Sequence, residues 1–97
     1  RELAEAELAA GDPTAAIHWG QAVTAREPYD EATHRLLMRA YAARGDDGLA
    51  ARHYHAFEKL LQAELDEQPQ PATRDLYQRL RAGRTAAVAS HLPTKPD

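Results

Sequence analysis

Apolar side chains recur along the chain at the spacing of amphipathic helices. The clearest run shares one helical face and consists of Ala50, His53, Tyr54, Phe57, Leu60, Leu61 and Leu65. An upstream run, with Leu36, Leu37, Ala40 and Tyr41, has the same spacing. β-branched residues are few, so strands are disfavoured. The pattern predicts an all-α fold in which the helix ending near Leu65 is the longest.

Turn residues divide the chain into five predicted helices. The turns are rich in Gly, Pro and Asp, which break or cap helices. The predicted helices run from about Arg1 to Ala10, from Pro13 to just before Pro28, from the Asp30 cap to Gly45, through Ala50 to Leu65, and from Ala72 to about Ala82. Residues 83–97 lose the periodicity and contain prolines near the end. We therefore expect a domain over 1–82 and a linker or tail over 83–97.

The chain contains an internal repeat. Gly11-Asp12 recurs as Gly45-Asp46, and Ala16 recurs as Ala50, both at the 34-residue period of tetratricopeptide (TPR) helix pairs. Small alanines allow paired helices to approach closely, and a glycine permits the reversal between them. Pro28 has no counterpart, because position 62 is a glutamine. We therefore expect TPR-like antiparallel pairs closed by a C-terminal capping helix rather than a further complete repeat.

Composition and charge narrow the function classes. A chain of 97 residues with 43% hydrophobic side chains supports one modest core. A net charge of -3 argues against a nucleic-acid surface, which normally needs an excess of Lys and Arg. No apolar run approaches the roughly 20 residues of a bilayer span. We expect a cytoplasmic protein that neither enters a membrane nor binds nucleic acid through this segment.

The candidate chemical groups do not form a recognisable catalytic or metal site. His53 and His55 are two residues apart and point to different sides of a helix, so they do not make a helical ligand pair. His53 is expected to be a hydrogen-bonded core histidine. Ser90 lies in the predicted tail, and the sequence has neither a phosphate-binding loop nor a cysteine. We predict no catalytic residue, no metal and no cofactor.

An ordered set of motifs resembles one family. The motifs are Glu27-Pro28-Tyr29-Asp30-Glu31-Ala32, Leu36-Leu37-Met38-Arg39-Ala40-Tyr41, Gly45-Asp46, Tyr54, Leu60-Leu61, Glu64-Leu65 and the segment from Pro69 to Leu80. Over residues 3–80 the chain resembles the bacterial transcriptional activator domain, the TPR-like module of antibiotic regulatory proteins. Asp66 stands where that family usually has a glycine, so we expect a differently shaped turn there. Helices that usually precede this part of the family's domain are missing, which fits a fragment of a longer protein.

The resemblance implies a regulatory function. Such domains usually follow a winged-helix DNA-binding domain and support self-association or contact with the transcription machinery. The segment from Ser90 to Thr94 looks like the linker that leads into a P-loop NTPase in some of these regulators. Two alternatives stay open: a generic TPR scaffold that binds peptide tails, and a helical accessory domain of a multidomain enzyme or NTPase.

Two surfaces are candidate protein-binding sites. Arg35 and Arg39 lie one turn apart, away from the predicted buried face, and match groove-lining positions of a TPR-like stack. They would form an open cationic strip for acidic groups of a partner. The second surface is the apolar side of the first helix pair, around Leu3, Leu8, Ile17 and Trp19. We expect it to support homodimers, although core contact is the favoured role of Trp19.

Overall fold

The computed structural model describes the backbone of residues 11–91 and the side chains of residues 11–83. Within that range the chain forms helices and no strand: α1 (Pro13–Arg26), α2 (Glu31–Ala43), α3 (Asp47–Leu65) and α4 (Pro71–His91). Each helix packs against the next, and α2 also packs against α4. The predicted all-α, TPR-like fold is confirmed, whereas the helix predicted over Arg1–Ala10 lies outside the described residues.

The 34-residue repeat is visible in the backbone. Gly11 and Gly45 have φ angles of 89° and 87°, the left-handed conformation that glycine adopts without a steric penalty. Each glycine precedes an aspartate at the N-cap of the next helix. Ala16 and Ala50 are 0% and 4% exposed, so both small side chains lie inside helix contacts. The two halves of the repeat therefore share a left-handed glycine, an aspartate at the helix start and a buried alanine.

Local hydrogen bonds set the helix starts. The Asp12 carboxylate accepts a hydrogen bond of 3.1 Å from the Ala15 backbone N–H, and Pro13 occupies the first turn, where its missing N–H costs nothing. At the start of α2, the Thr33 hydroxyl donates to the Asp30 carboxylate at 2.8 Å. The aspartates that the sequence predicted as caps stand at the start of α1 and α2.

The end of α3 differs from the expectation. Asp66 has φ 54° and ψ 42°, the left-handed conformation that a glycine would adopt most readily at this position. Its carboxylate accepts a hydrogen bond of 2.7 Å from the Gln62 side-chain amide. Aspartate tolerates this backbone region better than most side chains because it can bond locally. The substitution for glycine therefore leaves a left-handed helix cap and does not require another type of turn.

The last helix is longer than predicted. Helix α4 has 21 residues and α3 has 19, so the prediction that α3 is the longest is wrong. Residues 83–91, predicted as part of a linker, continue α4. This stretch is rich in alanine, and the next helix-breaking residue is Pro93. Gly83 alone costs a helix only about 1 kcal/mol relative to alanine, which is too little to end it.

Helix α2 lies at the centre and contributes to two apolar clusters. The first cluster, called the α1–α2 core, contains Ala16, Ile17, Leu36, Leu37 and Ala40, with Trp19 and Tyr41 packed against it. The second, called the α2–α3–α4 core, contains Met38, Tyr54 and Leu76, with Tyr77 and Leu80 packed against it. Because α1, α3 and α4 all pack on α2, that helix is buried on more than one face.

Candidate protein-interaction surfaces

The predicted cationic strip is interrupted at Arg35. The Arg35 guanidinium donates to the Thr73 hydroxyl at 3.0 Å and to the Gln70 side-chain oxygen at 3.3 Å. Thr73 is 0% exposed, so this contact lies at the junction of α2 and α4. The expectation that Arg35 faces an open groove is wrong, because the capping helix covers this side of α2. Arg35 joins two helices of the same chain.

Glu31 strengthens the same junction. Its carboxylate accepts a hydrogen bond from the Gln70 backbone N–H, next to the start of α4. Together Glu31 and Arg35 hold both the backbone and the side chain of Gln70. We call these contacts the α2–α4 clasp. Glu31 therefore helps to hold the start of α4 against α2.

Arg39 is the remaining part of the predicted strip. It lies one turn beyond Arg35 and is half-buried. Within the described part of the chain no hydrogen bond or ion pair joins its guanidinium to another side chain. The structure therefore separates the two arginines that the sequence placed in one site. Arg35 has intramolecular partners, and Arg39 stays a candidate for contact with another molecule.

Trp19 lies at the boundary between the core and an open cleft. It is half-buried and packs against the α1–α2 core, in agreement with the core contact expected for it. One edge also lines a cleft of about 740 Å³ between the end of α1 and the α1–α2 loop. The other lining residues are Val23, Arg26, Glu27, Pro28, Tyr29 and Asp30. Tyr29 is 42% exposed and presents a second aromatic ring at this surface.

The other residues of the predicted self-association surface have different positions. Ile17 is 3% exposed and belongs to the α1–α2 core, so it cannot contribute to an exposed patch in this conformation. Leu3 and Leu8 lie outside the described residues. The residue of that set that reaches an open surface in the described structure is Trp19. Helical periodicity did not place its neighbour Tyr29 on this surface, because Tyr29 lies in a turn.

A pair of hydrogen-bonded histidines lies beside this cleft. The His34 Nδ1 and His53 Nε2 atoms are 2.8 Å apart, and His34 Nε2 is 2.7 Å from the Pro28 carbonyl oxygen. The His34 ring also stacks on Phe57, with ring centres 3.9 Å apart. His53 is therefore a hydrogen-bonded, half-buried histidine, as the sequence predicted. Sequence reasoning missed its partner His34, because the two are 19 residues apart on different helices.

Burial dominates the electrostatics of these rings. It lowers the pKa of His53 from 6.5 to about 4, with a smaller contribution from the neighbouring His34. Burial also lowers the pKa of His34, although the Pro28 hydrogen bond and the charges of Glu31 and Asp30 act in the opposite direction. Loss of hydration disfavours the charged imidazolium in both cases. Both rings are therefore neutral near pH 7.

The described residues hold no metal-binding cluster of three or more His, Cys, Asp or Glu side chains. Helices of the length and apolarity needed to cross a membrane are also absent from this part of the chain. The groups that do come together are the hydrogen-bonded histidines His34 and His53 and the aromatic residues Trp19 and Tyr29 that line the cleft. Their geometry is that of helix packing and surface recognition.

Comparison with known proteins places the chain in a family. No curated protein and no solved structure gives a significant match. The profile of the bacterial transcriptional activator domain matches residues 1–81, which include α1, α2, α3 and the first half of α4. The family is a regulatory one, found in the context of transcriptional activators. Its helical, TPR-like architecture is the one seen here. The chain therefore belongs to the bacterial transcriptional activator domain family.

Proposed function

We propose that this chain is a non-catalytic, protein-interacting domain of a cytoplasmic bacterial transcriptional regulator, and that it pairs with a second copy of itself. The observation that carries the proposal is the cleft around Trp19. It combines two aromatic side chains with both signs of charge, since Arg26 and Glu27 are among its lining residues. Aromatic residues and arginine are enriched in protein interfaces.

Charge favours a second copy as the occupant of this cleft. A symmetric dimer brings the same patch of both subunits together, so the patch must complement itself. A cleft with Arg26 and Glu27 satisfies this condition, since each cation of one copy can face an anion of the other. Trp19 and Tyr29 would supply the apolar centre of the contact. Contact with a neighbouring domain or with the transcription machinery is the competing occupant.

The first test is the oligomeric state of the full chain. Sedimentation velocity at tens of micromolar is expected to show dimers, and Tyr29→Ala is expected to weaken dimerisation about tenfold or more. Tyr29 is 42% exposed and belongs to neither apolar core, so the variant should keep its fold. Lys59→Glu changes an exposed charge on α3, outside the cleft, and serves as the control. Monomers alone at these concentrations would overturn the pairing and leave another protein as the partner.

A charge exchange tests the symmetry of the proposed contact. Arg26→Glu and Glu27→Arg each place like charges across the dimer, so each variant alone should be monomeric. An equimolar mixture restores opposite charges on both sides of the twofold axis and should dimerise. Failure of the mixture to pair, in contrast to the unmodified chain, would show that this cleft is not the interface.

DNA contact is assigned to another part of the regulator. The chain is mildly acidic, with a net charge of -3, and duplex binding draws most of its affinity from Lys and Arg contacts with phosphates. Fluorescence titration at physiological salt should detect no sequence-specific binding by this chain. Nanomolar binding to a defined duplex would contradict the proposal directly.

A further inference from the structure

The hydrogen bonds of the two histidines define which ring nitrogen carries each proton. The Pro28 carbonyl oxygen can only accept, so His34 Nε2 must carry a hydrogen and donate it. In the neutral ring the other nitrogen, Nδ1, is then an acceptor. His53 Nε2 must consequently carry the hydrogen that is donated to His34 Nδ1. The neutral state is a directed chain from His53 through His34 to Pro28.

This chain of hydrogen bonds connects three parts of the fold. His53 belongs to α3, His34 belongs to α2, and Pro28 lies in the loop between α1 and α2. The loop also provides Pro28 and Tyr29 to the cleft beside Trp19. The histidine pair therefore connects one wall of that cleft to α2 and α3.

The hydrogen-bonded chain from His53 through His34 to Pro28, called the bridge, is compatible with one additional proton but not with two. A single proton on His53 Nδ1 leaves the Nε2–H donor in place, and the chain of hydrogen bonds is unchanged. A proton on His34 Nδ1 is also compatible if the remaining hydrogen of His53 moves to Nδ1, so that Nε2 accepts. When both rings are doubly protonated, two N–H groups face each other across 2.8 Å and two positive charges adjoin. That arrangement has no acceptor and is repulsive.

We propose that His34 and His53 form a proton-operated latch: the bridge holds the α1–α2 loop while the pair carries no more than one extra proton, and the second proton opens it. Opening breaks the contact between the two rings and frees the Pro28 carbonyl from its fixed partner. The loop, together with the Tyr29 side of the cleft, then loses this hydrogen-bonded connection to α3. This mechanism depends on the pair itself and is independent of which partner occupies the cleft.

The charged and titratable neighbours of the pair are few. Asp30 and Glu31, at the start of α2, act on His34 and favour its charged form. Tyr41 of α2 lies 6.0 Å from His53, ring centre to ring centre. From α3 the apolar ring of Phe57 covers His34. The carboxylates partly offset the burial that disfavours a proton on His34. The apolar ring of Phe57 offers no acceptor for the additional N–H of a doubly charged pair.

The substitution His53→Gln is a matched test. The glutamine side-chain N–H can replace the Nε2–H donor to His34, and its oxygen can accept if His34 becomes charged, but glutamine takes up no proton of its own. The bridge should therefore stay closed in acid. His18→Gln removes an exposed histidine of α1 and should behave as the unmodified chain does.

The experiment combines histidine NMR with hydrogen exchange on the full chain. Long-range ¹⁵N–¹H spectra near pH 7.5 should show the Nε2–H tautomer for both rings. Between pH 7 and 4.5, protection factors of the Glu27 and Asp30 amides, corrected for intrinsic exchange, should fall about tenfold or more relative to those in α3. In His53→Gln the relative protection should persist.

Three results would overturn the latch. One is an Nδ1–H tautomer for His34, which contradicts the bond to Pro28 and needs no variant to be observed. Another is loop protection that is the same at pH 7 and pH 4.5 in the unmodified chain. The third is an equal acid-induced loss in the unmodified chain and in His53→Gln. Dimerisation measured at pH 7.5 tests the proposed function separately, because the bridge is closed at that pH.

Discussion

The two cores that share α2 are built from different chemistry. In the α1–α2 core a Cβ atom added at Gly20 would lie 2.8 Å from Leu37 Cδ2, so the helices touch through small and aliphatic groups. In the α2–α3–α4 core the Tyr54 and Tyr77 rings stack with centres 4.2 Å apart. Its edge is closed by the α2–α4 clasp, in which Arg35 bonds Thr73 and Gln70.

The difference shows how one repeat period can support two kinds of interface. Two helices approach closely only where small residues recur at the matching spacing, because an extra atom at the contact would clash. The contact with α4 instead uses long side chains, stacked aromatic rings and the hydrogen bonds of the α2–α4 clasp. A substitution should therefore be judged by the interface that it enters. Equal burial on α2 does not imply equal tolerance.

The largest expected effect comes from Leu37 and Gly20. Leu37→Ala removes a side chain that is 0% exposed and should lower the free energy of unfolding by about 3 kcal/mol. Gly20→Ala alone should cost about 1 to 2 kcal/mol, because the new Cβ contacts Leu37 in a full core. In the Leu37→Ala background the same Gly20→Ala change should become stabilising, since the space is free and alanine favours helix. Urea unfolding of the four proteins measures this cycle.

A second glycine provides the control for that cycle. Gly48 lies in the first turn of α3, and a Cβ added there meets no atom within 4 Å. Gly48→Ala should be neutral or stabilise the chain by up to about 1 kcal/mol. If Gly20→Ala and Gly48→Ala change stability equally, or if the double variant shows no reversal of sign, the close approach of α1 and α2 is not the constraint inferred here.

The next effect is a pH dependence of stability that comes from the histidine pair between α2 and α3. Since the pKa of His53 is lowered to about 4 from an ordinary value of 6.5, its stabilising contribution is present above pH 6.5 and is lost as the pH falls through 4. The full loss is about 3 kcal/mol. His34, whose pKa is lowered too, acts in the same direction. Urea unfolding at pH 7.5 and 4 should show this decrease, and His53→Gln should make the dependence clearly shallower.

Carboxylates titrate in the same range, so the comparison between proteins decides this prediction. The difference between the unmodified chain and His53→Gln removes their common contribution. If the free energies of unfolding of the two proteins change in parallel with pH, folding does not lower the pKa of His53.

The smallest expected effect distinguishes the two arginines. Arg35→Met removes the guanidinium that donates to the Thr73 hydroxyl and to the Gln70 side chain. The free energy of unfolding should fall by about 1 to 2 kcal/mol, because the Thr73 hydroxyl loses its donor inside the protein. Arg39→Met should change stability by less than about 0.5 kcal/mol. Thermal unfolding measures both. Equal melting temperatures for the two variants would remove the distinction between a clasp residue and a candidate partner contact.

Reporter activation by the regulator that contains this domain completes that test. If Arg39 contacts an acidic partner, Arg39→Glu should reduce activation while leaving the melting temperature nearly unchanged. Lys59→Glu reverses another exposed charge and should activate normally. Normal activation by Arg39→Glu would eliminate the last residue of the predicted cationic strip.

The sequence alone determined the repeating part of the molecule. Local signals sufficed there: glycine at the left-handed turn, aspartate at the helix start, and alanine at the close contact each act over a few residues. They predicted the bounds of α1 and α2, the all-α class and the family. The end of α4 was not predicted, because helix propensity without an apolar stripe gives no periodic signal.

Tertiary structure decided which side chains meet. Arg35 had a groove-lining position by spacing, but α4 packs on α2 and joins Arg35 to Thr73. His34 and His53 had no relation in the sequence until the packing of α2 on α3 brought their nitrogens within 2.8 Å. Helical periodicity specifies a face, whereas the identity of the neighbour on that face depends on crossing angle and register. These are properties of packed helices and not of a single segment.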